Sequence, residues 1–221
     1  MKKMKKTGIM GGTFNPIHIG HLLIAERARE QFLLDSVLFM PSGVPYMKDC
    51  REVLPGKIRA EMTGLAVRGN PFFAVSTMEV DRKGKTYTYE TLESLQVQNP
   101  DTEYYFILGA DSLFKIEEWK NPGRIFAACH ILAAVREDRS LEDMEKQALH
   151  LQKKYGARID LLQTGRMEIS SSMIRALCRE KKSVRYLVPD VVYDYMLQNK
   201  LYIEENEMTQ KGDGELGHEK S

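Results

Sequence analysis

The chain runs from Thr7-Gly8-Ile9-Met10 through Gly11-Gly12-Thr13-Phe14-Asn15-Pro16-Ile17-His18-Ile19-Gly20-His21 and then takes up a helical period from about Gly20. A short apolar run, a paired-glycine turn and a helix start are the parts of a strand–turn–helix phosphate site. Gly11 and Gly12 let the main chain approach a polyphosphate closely, with Thr13 and Phe14 completing the turn. The N–H groups and positive dipole end of the following helix favour an anion there, so the turn needs no Walker lysine, and the sequence has none at this point. His18 and His21 stand three residues apart at the helix start, share one face and can flank a single phosphate. Their ring N–H groups are the donors that a transferring phosphoryl group needs as charge spreads over it. Two histidines near a helix start also read as a cap and a surface side chain, but the strand before and the glycine pair turn the reading to phosphate chemistry.

Outward from that turn, short apolar runs alternate with segments of helical period. Strands are expected near Thr7–Met10, Val37–Met40, Phe72–Val75, Tyr104–Leu108, Ile131–Val135 and Arg158–Leu162. Helices are expected over about Gly20–Leu33, Gly56–Arg68, Tyr87–Gln98, Leu141–Tyr155, Ser171–Lys181 and Pro189–Leu197, several introduced by Ser, Thr or Pro. This order predicts an α/β fold: a Rossmann-like, doubly wound, mainly parallel sheet with helices on both faces. Residues 1–203 then form one domain, since 221 residues are short for two independent cores and no low-complexity linker divides them. The stretch Glu204–Ser221 holds six acidic and two basic residues with three glycines, too little apolar surface to offset the cost of ordering, and is expected to be a disordered acidic tail.

With 43% hydrophobic and 29% charged residues and a net charge of +1, the chain has the composition of an ordinary globular protein and none of the basic excess of a nucleic-acid binder. Cys50, Cys129 and Cys178 are too few and too widely spaced for a disulfide framework or a zinc site, which suits a reducing compartment. No apolar run approaches membrane-spanning length, and the lysines of the first six residues lead straight into the first strand, so a cytoplasmic protein without a membrane partner is expected. The oligomeric state is open, and a homo-oligomer is compatible with this composition.

Far downstream, Glu168-Ile169-Ser170-Ser171-Ser172-Met173-Ile174-Arg175 opens another helix. Hydroxyls, main-chain N–H groups and a guanidinium gathered at a helix start suit the β- and γ-phosphates of a nucleoside triphosphate. A serine run before a helix is also an ordinary cap. Asp111 in Gly109-Ala110-Asp111 and Arg136 after Val135 each follow a predicted strand at its carboxyl end, where open α/β sheets bind ligands. Trp119, the single tryptophan, reads by itself as a packing anchor.

Taken together these motifs carry a resemblance. His-Ile-Gly-His at 18–21 resembles the HxGH signature of the nucleotidyltransferase superfamily, and the run from Ile169 to Arg175 resembles its ISSxxIR signature. Gly-Gly-Thr-Phe-Asn-Pro-Ile-His is similar to the opening of the bacterial nicotinate-mononucleotide adenylyltransferases, more so than to that of the pantetheine-phosphate or cytidylyl relatives, and matches extend over most of the first 202 residues. The resemblance implies transfer of AMP from ATP to nicotinate mononucleotide, yielding nicotinate adenine dinucleotide and pyrophosphate. It implies ATP contacts from Gly11, Gly12, Thr13, Phe14, His18, His21, Ser171, Ser172 and Arg175, with His18, His21 and Arg175 catalytic. On the acceptor side it implies Trp119 stacked on the pyridine ring in the segment that starts at Gly109 and holds Asp111, Thr86, Tyr87 and Thr88 at the nicotinate end, and Lys48 near the phosphate. Arg136 is a further candidate by position. A helix N-terminus capped by Thr is the bland alternative there. The sequence departs from the family at Asn15, where Asp is common, and at Met47, where His is usual. Mg²⁺ is expected as cofactor, bound mainly through phosphate oxygens and water. Two rivals are an enzyme of the same superfamily with another phosphate acceptor and a nucleotide sensor on the same scaffold.

Overall fold

The computed structural model describes residues 4–43, 53–135, 140–165 and 168–203. Six strands form one sheet: β1 (Lys5–Gly12), β2 (Ser36–Pro41), β3 (Phe73–Val75), β4 (Thr102–Gly109), β5 (His130–Ala134) and β6 (Ile159–Leu162). All neighbours are parallel, in the order β3-β2-β1-β4-β5-β6. The six expected strands are therefore all present, and the doubly wound α/β class holds.

Alternation along each strand divides the core into two layers. Ile9, Tyr104, Phe106, Leu108, Ile131 and Ala133 point into one cluster, while Met10, Tyr105, Ile107, Leu132 and Ala134 point into the other. Strands buried on both faces read as continuous apolar runs, which is why Tyr104–Leu108 and Ile131–Ala134 carry no polar residue. The first layer is closed by α4 (Thr88–Gln98), α5 (Ala110–Lys115), α6 (Pro122–Ala128) and α7 (Leu141–Tyr155), through Leu92, Leu113, Ile125 and Met144. The second is closed by α1 (Ile19–Gln31), α2 (Gly56–Val67), α8 (Ser171–Arg179) and α9 (Asp190–Gln198), through Ile24, Met62, Ile174 and Val192.

The helix α3 (Met78–Asp81), α5, α6 and a 3₁₀ turn at Ile116–Glu118 lie where the sequence shows no sustained period. Each spans two turns or fewer, too short for a 3.6-residue pattern to register. Helix ends also shift by a residue or two: α4 begins at Thr88 with Tyr87 as its N-cap, and α9 begins after Pro189. No described helix is long and apolar enough to cross a membrane. Residues Glu204–Ser221, Lys48, Met47 and Arg136 lie outside the described residues.

Winding reverses between β1 and β4, so their carboxyl ends, at Gly12 and Gly109, open the crevice where this class of sheet binds ligands. Behind it, Arg59 of α2 is 1% exposed and donates to four main-chain carbonyls: Leu54 (2.9 Å), Thr13 (2.6 Å), Ser42 (2.7 Å) and Gly43 (2.9 Å). Burial pushes its pKa down from the usual arginine range. The guanidinium thus staples the turn after β1 to the loop after β2. Replacing it leaves several buried carbonyls without donors, so Arg59→Met should cost about 3 to 5 kcal/mol of stability, read by urea denaturation; a loss below about 1 kcal/mol would show that the staple is dispensable.

Candidate active site

The turn after β1 is built around two rings. Phe14 holds a left-handed backbone at φ 48°, uncommon for a side chain of this size, and its ring is buried against Phe39. A Cβ at position 12 would lie 2.9 Å from that ring and one at position 11 would lie 3.1 Å from the ring of Phe106. The paired glycines are therefore required by close packing of aromatic rings as well as by the approach of a ligand.

His18 is the N-cap of α1 and 2% exposed; His21 stands one turn on. Their rings stack with centroids 3.7 Å apart, and Phe14 meets His21 edge-on at 5.0 Å. The His18 main-chain N–H donates to Nδ1 of His21 at 3.2 Å. An accepting Nδ1 fixes the neutral tautomer, so the ring proton of His21 sits on Nε2. This corrects one expectation in detail. The main-chain N–H groups of His18 and Ile19 are not offered to an anion: the first serves His21, and the second bonds the carbonyl of Leu187 at 2.9 Å.

The distant serine–arginine segment lands on the same turn. Ser171 Oγ donates to the carbonyl of Pro16 at 2.8 Å and Arg175 Nη1 to that of Asn15 at 3.0 Å. The cap of α8 is Ser170, whose Oγ accepts from the N–H of Met173 and lies 3.0 Å from the exposed Ser172 hydroxyl. Capping and the contact to the turn are thus divided between adjacent serines. Asn15, 3% exposed, accepts on Oδ1 from the N–H of Leu54 (3.2 Å) and the hydroxyl of Tyr202 (2.9 Å). Both partners are donors, so a carboxylate at this position would accept the same pair.

On the other side of the crevice, Asp111 is exposed in the first turn of α5, and Trp119 follows the 3₁₀ turn. Trp119 is partly buried and packs against the core, with its ring and that of Phe106 in a T-shaped pair, centroids 6.2 Å apart. Thr86 does not cap α4: its hydroxyl donates to Glu79 at 3.3 Å, and no side chain caps that helix start. Tyr87 stacks on Tyr89, with 6.0 Å between centroids. Among the described residues no group of histidines, cysteines and carboxylates is arranged to hold a metal ion.

Arg59, Tyr202 and Glu79 were not found from the sequence. Arg59 alone left a signal, a charged residue among Ala60, Met62 and Thr63 on the buried side of α2. Tyr202 bonds to a partner distant in the sequence, and Glu79 stands on a helix too short to read.

The parallel sheet has its crevice at the switch point, the starts of α1 and α8 meet on one turn beside it, and the sequence matches the cytidylyltransferase-like family, a nucleotidyltransferase class, over residues 9–177. Among curated relatives, the protein named "Probable nicotinate-nucleotide adenylyltransferase" of Lachnoclostridium phytofermentans is 45% identical, over 90% of this chain and all of that one. The protein of the same name from Clostridium botulinum strain Alaska E43 is 40% identical over 91% of this chain and all of its own. Of solved structures, the Plasmodium falciparum nicotinic acid mononucleotide adenylyltransferase complexed with NaAD shares the fold, with a TM-score of 0.73 and 17% identity over 90% of this chain and 97% of that one. The chain belongs to the nicotinate-nucleotide adenylyltransferase family.

Gly20, between the histidines, gives a test of the site's geometry. A Cβ there would stand 3.0 Å from Nδ1 and 3.1 Å from Cε1 of His18. Helix propensity favours alanine by about 1 kcal/mol, yet the imidazole must shift to make room. Gly20→Ala should keep or raise the melting temperature while lowering kcat for nucleotidyl transfer by about tenfold or more; an unchanged kcat would show that Gly20 does not set the ring's position.

Proposed function

We propose that this protein transfers AMP from ATP to nicotinate mononucleotide, forming nicotinate adenine dinucleotide and pyrophosphate for NAD biosynthesis, in the cytoplasm. The observation that carries the reading is the meeting of four groups on one turn: the stacked imidazoles of His18 and His21, with Ser171 and Arg175 bonded to the carbonyls of Pro16 and Asn15. Family membership supplies the substrates.

The acceptor phosphate monoester is largely dianionic at neutral pH, its second pKa being about 6, so it needs no protein base. Attack on the α-phosphorus is direct and in line, without a covalent intermediate. Catalysis is then positioning plus electrostatics. Gly11, Gly12, Thr13 and Phe14 shape the cradle for the triphosphate. His18 and His21 donate ring N–H groups to the phosphate oxygens as charge spreads, His21 from the Nε2 that its bonded Nδ1 leaves protonated. Arg175, anchored through Nη1 to the Asn15 carbonyl, holds the departing pyrophosphate together with Ser171 and Ser172.

These imidazole, hydroxyl and guanidinium donors suit a phosphate chain that brings its own Mg²⁺, held by phosphate oxygens and water. When bound, the ion neutralises phosphate charge. Trp119 supplies a face for the pyridine ring, and its T-shaped packing against Phe106 sets the orientation of the indole. Thr86, Tyr87 and Thr88 are assigned to the nicotinate end, with Asp111 at the start of α5; Lys48, by family resemblance, and Arg136, by its position after a strand, are assigned to the phosphate.

Pyrophosphate release, measured with ATP and each candidate mononucleotide, tests the reading; release with nicotinate mononucleotide supports it and its absence ends it. His18→Ala and His21→Ala should each cost about 2.7 to 4 kcal/mol in kcat, the scale of one lost transition-state donor, and a normal kcat in both would remove the role given to the imidazoles. Trp119→Ala should raise the KM of the mononucleotide well beyond that of ATP, whereas equal changes would contradict stacking.

A further inference from the structure

Helix α3 is a single turn, and none of its residues is buried by the burial of the residue as a whole. Its Glu79 carboxylate nevertheless faces inward and gathers three donors from three segments. Thr91 Oγ1 donates at 2.9 Å, Thr86 Oγ1 at 3.3 Å, and the main-chain N–H of Gly43 also donates to it. The Arg82 guanidinium lies close by, with Nη1 3.4 Å from the Thr91 hydroxyl. Burial raises the pKa of Glu79 against these donors, so the position holds an ionisable group at a cost in solvation. A carboxylate offers about four lone-pair directions, which is what three diverging donors require.

Gly43 is where these segments meet. Its carbonyl accepts from Arg59 Nη2 at 2.9 Å, and the same guanidinium reaches the Thr13 carbonyl at 2.6 Å. A Cβ on Gly43 would collide with the main-chain oxygen of Glu79 and come within 3.1 Å of Thr86 Cγ2. The loop after β2, α3 and the entry to α4 therefore meet at one glycine, and Arg59 joins it to the turn after β1.

We propose that Glu79 is a positioning residue for the acceptor side of the cleft: through Thr86 it fixes the entry to α4, and through Gly43 the loop after β2 that Arg59 ties to the nucleotide turn. This rests on the reading that the mononucleotide lies at Thr86–Thr88. Glu79 acts on the pocket through Thr86 and Gly43, so its loss moves the mononucleotide site, while the turn after β1 keeps its own bonds to Arg59, Ser171 and Arg175. Glu79→Gln keeps the shape and one accepting oxygen but turns an amide donor toward a donor. Thr86→Val removes the same link from the other end.

The test is steady-state kinetics of the full chain, with pyrophosphate release followed as each substrate is varied. Glu79→Gln should raise the mononucleotide KM about tenfold, change the ATP KM by less than about twofold, and lower kcat by less than about threefold, the scale of one misaligned hydrogen bond. Equal rises in both KM values, or an unchanged mononucleotide KM, would overturn the proposal. A merely structural role would lower the melting temperature and the active fraction without the selective KM change. If Thr86→Val and Trp119→Ala both leave the mononucleotide KM unchanged, the placement of the acceptor fails; if they raise it and Glu79→Gln does not, the claim for Glu79 fails alone. Should Glu79→Gln not fold, Gly43→Ala, which wedges the loop from α3 with the carboxylate intact, must reproduce the selective rise, and its absence counts against the proposal.

Discussion

Two hydrogen bonds, from Ser171 to the carbonyl of Pro16 and from Arg175 to that of Asn15, join residues 155 and 160 positions apart in the chain and bring the two halves of the nucleotide site together. Carbonyl oxygens facing a phosphate cleft would repel the ligand and, if buried without donors, cost free energy. Here three carbonyls of the turn, at Thr13, Asn15 and Pro16, each accept from a side chain behind or beside it. The bonds that satisfy the turn are thus the same ones that hold α8 and α2 against it. Disturbing the turn moves both helices, and moving either helix reshapes the turn.

The sheet makes this meeting possible. With β1 and β4 adjacent and the winding reversed between them, the turn after β1 and the start of α5 border one crevice. Small residues then admit large rings at close quarters: Gly12 beside Phe14, Gly11 beside Phe106, Gly20 beside His18. Phe106 in turn meets Trp119, so one aromatic ring of the central sheet lies against both the turn after β1 and the tryptophan proposed for stacking. The left-handed backbone of Phe14 is held by this packing, which fixes His21 through the edge of the same ring.

Asn15 shows how a departure from a family's usual residue can be neutral in geometry. Its side-chain oxygen accepts from Leu54 and Tyr202, a task that an amide and a carboxylate perform alike. Burial of Tyr202 keeps its hydroxyl protonated as a donor, by pushing its pKa up. A buried guanidinium nearby, at Arg59, is served entirely by main-chain carbonyls in the bonds described, so an amide at position 15 does not deprive it of those partners.

All six strands, the long helices and the two signature segments were legible in the sequence, because each depends on neighbours within a dozen residues: apolar runs, helical period, paired glycines, hydroxyls before a helix. What escaped were the short helices α3, α5 and α6, which have too few turns to display a period, and Arg59, Glu79 and Tyr202. Those side chains take their meaning from partners such as Thr13, Gly43 and Asn15, and only Arg59, a charge on the buried side of α2, is marked locally. The division between Ser170 as cap and Ser171 as bridge was equally hidden, since three serines in a row are alike until the helix axis fixes where each hydroxyl points. Local order and the kind of chemistry are therefore written in the chain itself, while the choice of which donor meets which carbonyl belongs to the folded sheet, because only packing at its switch point brings distant segments within hydrogen-bond reach.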